Sequence, residues 1–292
     1  MADTTTLVDG LHFGEGPRWH DGRLWFSDFY AHRVRSVGVD GDVRDELEVP
    51  GQPSGLGWLP DGRLLVVSMT DRRVLRREAN GSLVEHADLS GIATFHCNDM
   101  LVDPVGRAYV GNFGFDLHTF IRAHGEAAIF VHPDAHGAVV ALVRPDGTVE
   151  VATEELRFPN GTVLADGGRT LVVAETLGLR LTAFDVDADG RLSNRRTWAD
   201  LSDHLIAPDG ICIDAEGAIW CANAVATQAV RVAEGGEVLA RVETERHCYA
   251  VALGGSDGRR LFCCTAETSD AIDAAARRTG AIETVAVDVA AA

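Results

Sequence analysis

The chain of 292 residues is 46% apolar, which is enough length and hydrophobic content for a large buried core. Lys and Arg number 26 against 44 Asp and Glu, and the net charge of −18 repels phosphate backbones and argues against a nucleic-acid partner. No apolar run reaches the roughly 18 residues of a membrane-spanning helix, and the opening MADTTTLVDG has neither the basic segment nor the apolar centre of a signal peptide, so a soluble, cytoplasmic protein with no membrane partner is expected.

There are 31 glycines, well above the usual ~7%, and they fall among many short apolar runs. That combination predicts an all-β protein with many tight turns. One pattern returns along the chain: a polar or small residue, an apolar run, an Asp/Gly turn, and a second apolar run. It reads EGPRWHDGRLWFSD from Glu15, SGLGWLPDGRLLVVS from Ser54 and NDMLVDPVGRAYVGN from Asn98. It reads again as NGTVLADGGRTLVVAET from Asn160, DGICIDAEGAIWCAN from Asp209 and YAVALGGSDGRRLFCCT from Tyr249. The turn glycines Gly22, Gly62, Gly106, Gly168, Gly217 and Gly258 recur about every 47 residues, so six units account for essentially all of residues 1–292.

Each unit predicts two strands, and a second strand pair follows most of them, as in RVRSVGVDGDVRDEL and LTAFDVDADGRLSNRRTW. Four strands per repeat of this length predict a six-bladed β-propeller with four-stranded blades. The last unit is split: IETVAVDV near the C-terminus and TTLVDGLHF near the N-terminus would join in one closing blade. No domain boundary interrupts the repeats. The longest interval, from Gly106 to Gly168, places an insertion at about 113–140 in the third blade, where it could act as a lid. Its histidines, His118, His124, His132 and His136, match no zinc spacing and are expected to be solvated, with contact to a substrate from a lid as the second reading. The six cysteines form no CxxC pair and read as small buried hydrophobes in a reducing compartment. A propeller leaves few sheet edges exposed, so a monomer or weak oligomer is expected.

Equivalent positions of a propeller form a ring about its axis. The position seven to nine residues before each turn glycine holds Glu15, Ser54, Asn98, Asn160, Asp209 and Tyr249, all with side-chain oxygen. Any one of them could serve only as a turn residue. Together they predict the lining of a channel mouth, with carboxylates and amides suited to a hard divalent cation.

The motifs GEGPRWHDGRLWFSD, CNDMLVDPVGRAYVGNFG, FPNGTVLADGGRTLVVAET and APDGICIDAEGAIWCAN, in this order, resemble the SMP-30/gluconolactonase/luciferin-regenerating-enzyme (regucalcin-like) family over nearly the whole chain. The resemblance implies one divalent metal at the channel mouth, with Glu15, Asn160 and Asp209 as ligands and Asn98 as a residue that contacts the substrate or supports those ligands. Ca²⁺ leads, with Mg²⁺, Mn²⁺ and Zn²⁺ as alternatives. His96 stands where many lactonase members carry arginine, and it shares a face with Asn98 in an extended segment. The function implied is metal-dependent hydrolysis of a sugar lactone or related cyclic ester, a small-molecule substrate, with Asp209 as general base or, in its place, a hydroxide on the metal. Two rivals remain at this level: elimination, isomerisation or cyclisation at the same metal, and a non-catalytic calcium-binding propeller.

Overall fold

The computed structural model describes residues 2–131 and 137–292. Its strands form six antiparallel sheets, the four-stranded blades of a propeller. In every blade the first strand of the sequence repeat lies innermost. These strands are Gly14–His20, Pro53–Trp58, Cys97–Val102, Pro159–Ala165, Pro208–Ile213 and His247–Gly254. Each touches the inner strands of the two neighbouring blades, which closes the ring around the axis.

The burial pattern explains why the second strand of each repeat is so apolar. Leu64–Ser68 and Ile219–Asn223 are buried at every residue, because a neighbouring blade covers each face. The outer strand Val43–Glu48 is largely exposed and correspondingly charged. Apolar clusters fill the space between adjacent blades; Val163, Val172, Leu181, Ile211 and Ile219 join blades four and five. The six turn glycines all adopt positive φ, between 71° at Gly258 and 88° at Gly106 and Gly168, a conformation that side-chain-bearing residues resist.

The closing blade forms as the split repeat predicts. Thr5–Leu11 runs antiparallel to Gly280–Ala286, with Thr5 opposite Thr284, and becomes the outer strand of blade six. The short strand Ala2–Asp3 pairs in parallel with Val238–Glu243, the outer strand of blade five. The start of the chain therefore ties two blades together.

Blades three and six each carry extra chain between their second and third strands. In blade three it includes α1 (Leu117–His124) and a 3₁₀ turn, Glu126–Phe130. In blade six it forms α2 (Ala271–Arg277), which the sequence reading did not anticipate. Asp116 starts α1 by accepting from Thr119 N at 2.9 Å, and Asp270 starts α2 by accepting from Ile272 N at 3.0 Å. Blades three and six lie opposite one another in a six-membered ring, so the two helices face each other across its mouth. Among the described residues, no helix is long and apolar enough to cross a membrane. Cys97, Cys221, Cys248, Cys263 and Cys264 are free and buried, as small hydrophobes are.

Candidate functional site

All six inner strands break register at the repeat position that bears the oxygen side chain. The shifts fall between Glu15 and Arg18, Pro53 and Leu56, Cys97 and Met100, Pro159 and Thr162, Pro208 and Ile211, and Cys248 and Ala250. A bulge re-aims the side chain it carries. Here six bulges bring side chains from six blades to one end of the channel. The residue after the bulge is glycine in four blades because the next blade leaves no room. A Cβ on Gly55 would lie 2.2 Å from Met100 N, and one on Gly161 would lie 2.4 Å from Ile211 N.

A chain of hydrogen bonds then runs from blade two to blade five. Ser54 Oγ donates to Asn98 Oδ1 at 2.9 Å, and Asn98 Nδ2 donates to Asn160 Oδ1 at 2.8 Å. Asn160 Nδ2 donates to Thr176 Oγ1 at 3.2 Å, whose hydroxyl donates to the Pro208 carbonyl at 2.8 Å, one residue before Asp209. Side chains at the ends of second strands brace the approach to the ring. Asp28 accepts from Phe13 N, Glu175 from Arg157 N, and Asn223 from Ala207 N.

Three carboxylates meet at this end of the channel: Glu15, Asp99 and Asp209, with 5%, 3% and 6% of their surface exposed. Burial raises the Glu15 carboxyl well above its ordinary range, and the charges of Asp209 and Asp99 raise it further, against a bond from Gly16 N and the nearby Arg18. Asp209 is raised for the same reasons, burial first and Asp99 second, with a bond from Asn160 opposing. Asp99 is raised by burial and held back by Arg18. The Arg18 guanidinium donates to the carbonyls of Pro17 and Met100, spanning from blade one to blade three. Among the described residues, Asp99 Oδ1 and Asp209 Oδ1 have no hydrogen-bond partner.

Desolvated, mutually repelling carboxylates with orphaned oxygens suit a cation. Among the described residues, no three His, Cys, Asp or Glu side chains are placed to hold an ion by themselves. The donor set that fits is therefore mixed: carboxylate oxygens of Glu15 and Asp209 with the amide oxygen of Asn160. Oxygen donors of this kind match Ca²⁺ or Mg²⁺ chemistry.

The ring forms the floor of a cavity of about 400 Å³, lined by Glu15, Asn98, Asn160, Asp209, His96 and Tyr249 among others. Ser54 sits behind the ring, fully buried, and anchors Asn98 rather than lining the cavity. Tyr249 packs on Phe13 with ring centroids 4.8 Å apart, and burial with the nearby carboxylates pushes its phenol up to about 12 despite a bond with Ser269. His96 stacks on Phe95 at 4.1 Å, and burial pulls its imidazole below the ordinary 6.5. Burial therefore favours the neutral form of the ring, where an arginine in the same place would stay charged. Cys97, between His96 and Asn98, is fully buried in an apolar cluster and is not among the residues lining the cavity.

Two parts of the site escaped the sequence reading. Asp99 occupies the repeat position that is Gly16, Gly55, Gly161 and Gly210 in four other blades, and that departure from glycine was the signal. Residues of the α2 insertion, Ser269, Asp270 and Ile272, also line the cavity. His118 is not a solvated loop residue: it stands in the cavity wall, 3.8 Å from Asp270 across the mouth. His124 packs on Phe120 with centroids 4.7 Å apart. His132 and His136 lie outside the described residues.

A family model for the SMP-30/Gluconolactonase/LRE-like region matches residues 13–267. The pentonolactonase XacC of Haloferax volcanii is 26% identical over 271 residues, covering 91% of this chain and 86% of that protein. Human regucalcin is 32% identical over 219 residues, covering 74% of this chain and 70% of its own. The solved structure of a calcium-binding regucalcin from Agrobacterium tumefaciens superposes with a TM-score of 0.81 at 22% identity, over 100% of this chain and 96% of that one, a likeness of fold.

Proposed function

The chain belongs to the SMP-30/gluconolactonase/LRE-like family, and from that premise we propose that it is a metal-dependent hydrolase that opens a lactone at the floor of the propeller cavity. The observation that carries this reading is the convergence of buried carboxylates and hydrogen-bonded amides, two oxygens of them unpartnered, beneath a cavity large enough for a small molecule. The likeness to a pentonolactonase supports the reaction, and the likeness to regucalcins, one of them described as calcium-binding, supports the ion.

Glu15, Asn160 and Asp209 are the residues that would hold one divalent cation, Ca²⁺ first, with Mg²⁺, Mn²⁺ or Zn²⁺ as alternatives. When bound, such an ion neutralises the carboxylates and polarises a carbonyl oxygen. The chain supplies the rest. Asn98, fixed at both ends of its amide by Ser54 and Asn160, holds the substrate in register. Asp209 Oδ1, an acceptor with no protein partner, takes a proton from the attacking water. That water adds to the carbonyl carbon, the acyl–oxygen bond of the ring breaks, the proton held by Asp209 passes to the departing ring oxygen, and the product leaves as a hydroxy carboxylate and a proton. His96, facing the cavity, orients the ring oxygen. The insertion with α1 serves as a lid that limits water.

The test is lactone hydrolysis, followed by proton release, in wild type and Asp209→Ala with Ca²⁺ present. The expected loss is on the order of 10³-fold or more, since ligand and base go together. Full activity in Asp209→Ala would overturn the assignment.

A further inference from the structure

We infer that the lactone this site takes carries a flat apolar body, an aryl-fused or alkyl-bearing ring with few hydroxyls, and not the polyhydroxylated ring of a sugar lactone. The inference rests on the lactonase reading for the reaction and on the cavity wall for the substrate.

The wall above the oxygen ring is aromatic on two sides. Blades one and six contribute Phe13 and Tyr249, with centroids 4.8 Å apart and planes at 60°. Blades three and four lie across the axis and contribute Phe113 and Phe158, stacked at 4.7 Å with planes 7° apart. All four line the cavity. Two facing pairs of rings favour a flat apolar guest through area and stacking. The roof is apolar as well: α1 turns Leu117 and Ile121, four residues apart and so on one face, toward the cavity. At the mouth stands Ile272 of α2, 75% exposed, which extends the apolar lining to the rim.

A sugar lactone would bring several hydroxyls into this space, and each one left unpaired weakens binding. Several polar side chains of the described wall are engaged within the protein. Asp116 Oδ1 and Oδ2 accept from Thr119, and Asp270 Oδ1 accepts from Ile272 N and Asp273 N. Thr176 donates to the Pro208 carbonyl, and Gln52 Nε2 reaches Met69 Sδ at 3.4 Å. Those polar groups build the helix starts and the ring, and aromatic and aliphatic side chains make most of the remaining wall, with His96, His118 and Arg122 set among them.

The test compares the Ca²⁺-loaded protein on dihydrocoumarin and on D-glucono-1,5-lactone, with kcat/KM from proton release. The expected preference for dihydrocoumarin is at least tenfold, expressed mainly in KM. Phe113→Ser and, separately, Leu117→Ser should each cut that preference at least threefold, with kcat changed less than KM. A preference for the sugar lactone overturns the inference and leaves the lactonase reading standing. Turnover of neither substrate defeats the lactonase reading, and calorimetric binding of two unreactive lactams then decides the inference. Binding of 3,4-dihydro-2-quinolone at least tenfold tighter than gluconolactam, weakened in Phe113→Ser, supports it. Equal or reversed affinities overturn it.

Discussion

Asp209→Asn should stabilise the metal-stripped protein while removing its response to Ca²⁺. The substitution keeps the side chain's shape and its bond with Asn160 but deletes one of three buried negative charges that raise one another's carboxyl affinity for protons. A buried carboxylate oxygen without a partner costs about 1–3 kcal/mol, and more when it is charged, so replacing the charge by a neutral amide relieves about 2 kcal/mol. For a chain of this size, about 2–4 °C per kcal/mol gives a rise in Tm of about 4–8 °C. The wild type, given Ca²⁺ at about 100 times Kd, should gain about 2.7 kcal/mol and a similar rise. The pH dependence has a definite sign. Carboxyls whose folded affinity for protons is raised give stability that is present below their unfolded values and lost as pH rises through the folded ones. The Tm of the stripped wild type should therefore fall from mildly acidic toward neutral pH as far as these groups contribute, and Ca²⁺ should help most at the upper end. Thermal melts in chelator and in Ca²⁺, across pH, measure all of this. A variant that melts below wild type without metal, with Ca²⁺ raising both equally, would refute the reasoning.

Other substitutions separate scaffold from site. Glu175 is fully buried, and although burial alone would raise its carboxyl, bonds from Arg180, Thr182 and Arg157 N hold it below the ordinary 4.5. Glu175→Ala removes the acceptor of Arg180, of the buried Thr182 hydroxyl and of Arg157 N, and should cost about 1–3 kcal/mol by denaturant unfolding. The wild-type contribution is present above pH 4.5 and fades as pH falls through the lowered folded value, so acid melts of wild type and variant should converge. Gly161→Ala places a Cβ 2.4 Å from Ile211 N and 2.6 Å from Asp209 O, and should push blade five away from Asn160. The expected result is a loss of about 1–3 kcal/mol in stability together with weaker Ca²⁺ binding. Thr176→Val cuts the link from Asn160 to the Pro208 carbonyl and should cost about 1–2 kcal/mol, with a rise in the Ca²⁺ Kd seen by calorimetry.

The propeller was legible because its physics repeats. A turn that needs positive φ leaves a glycine, and six glycines at regular spacing counted the blades. Strands buried on both faces leave apolar runs, and the split last repeat revealed the closing blade. The ring positions were legible for the same reason: a bulge in every inner strand sets one residue apart from the apolar run around it. Asp99 was harder, because it is notable only against the glycines at the same place in other blades, and because what it does depends on Glu15, Asp209 and Arg18, which are remote in sequence. Ser54 shows the opposite limit: repeat position gives the ring but not whether a short side chain reaches the cavity or stops behind its neighbour. The helices α1 and α2 are short and irregularly spaced, and their apolar faces have meaning only once blades three and six are set opposite each other.

The most direct measurement is lactone turnover by metal-stripped protein as Ca²⁺ is titrated back, with bound metal counted in the same samples. The account predicts negligible turnover at zero metal and a rise that saturates at one ion per chain, with Glu15→Gln and Asp209→Asn flat throughout. Turnover that is full without metal, or that is indifferent to these two carboxylates, would contradict it.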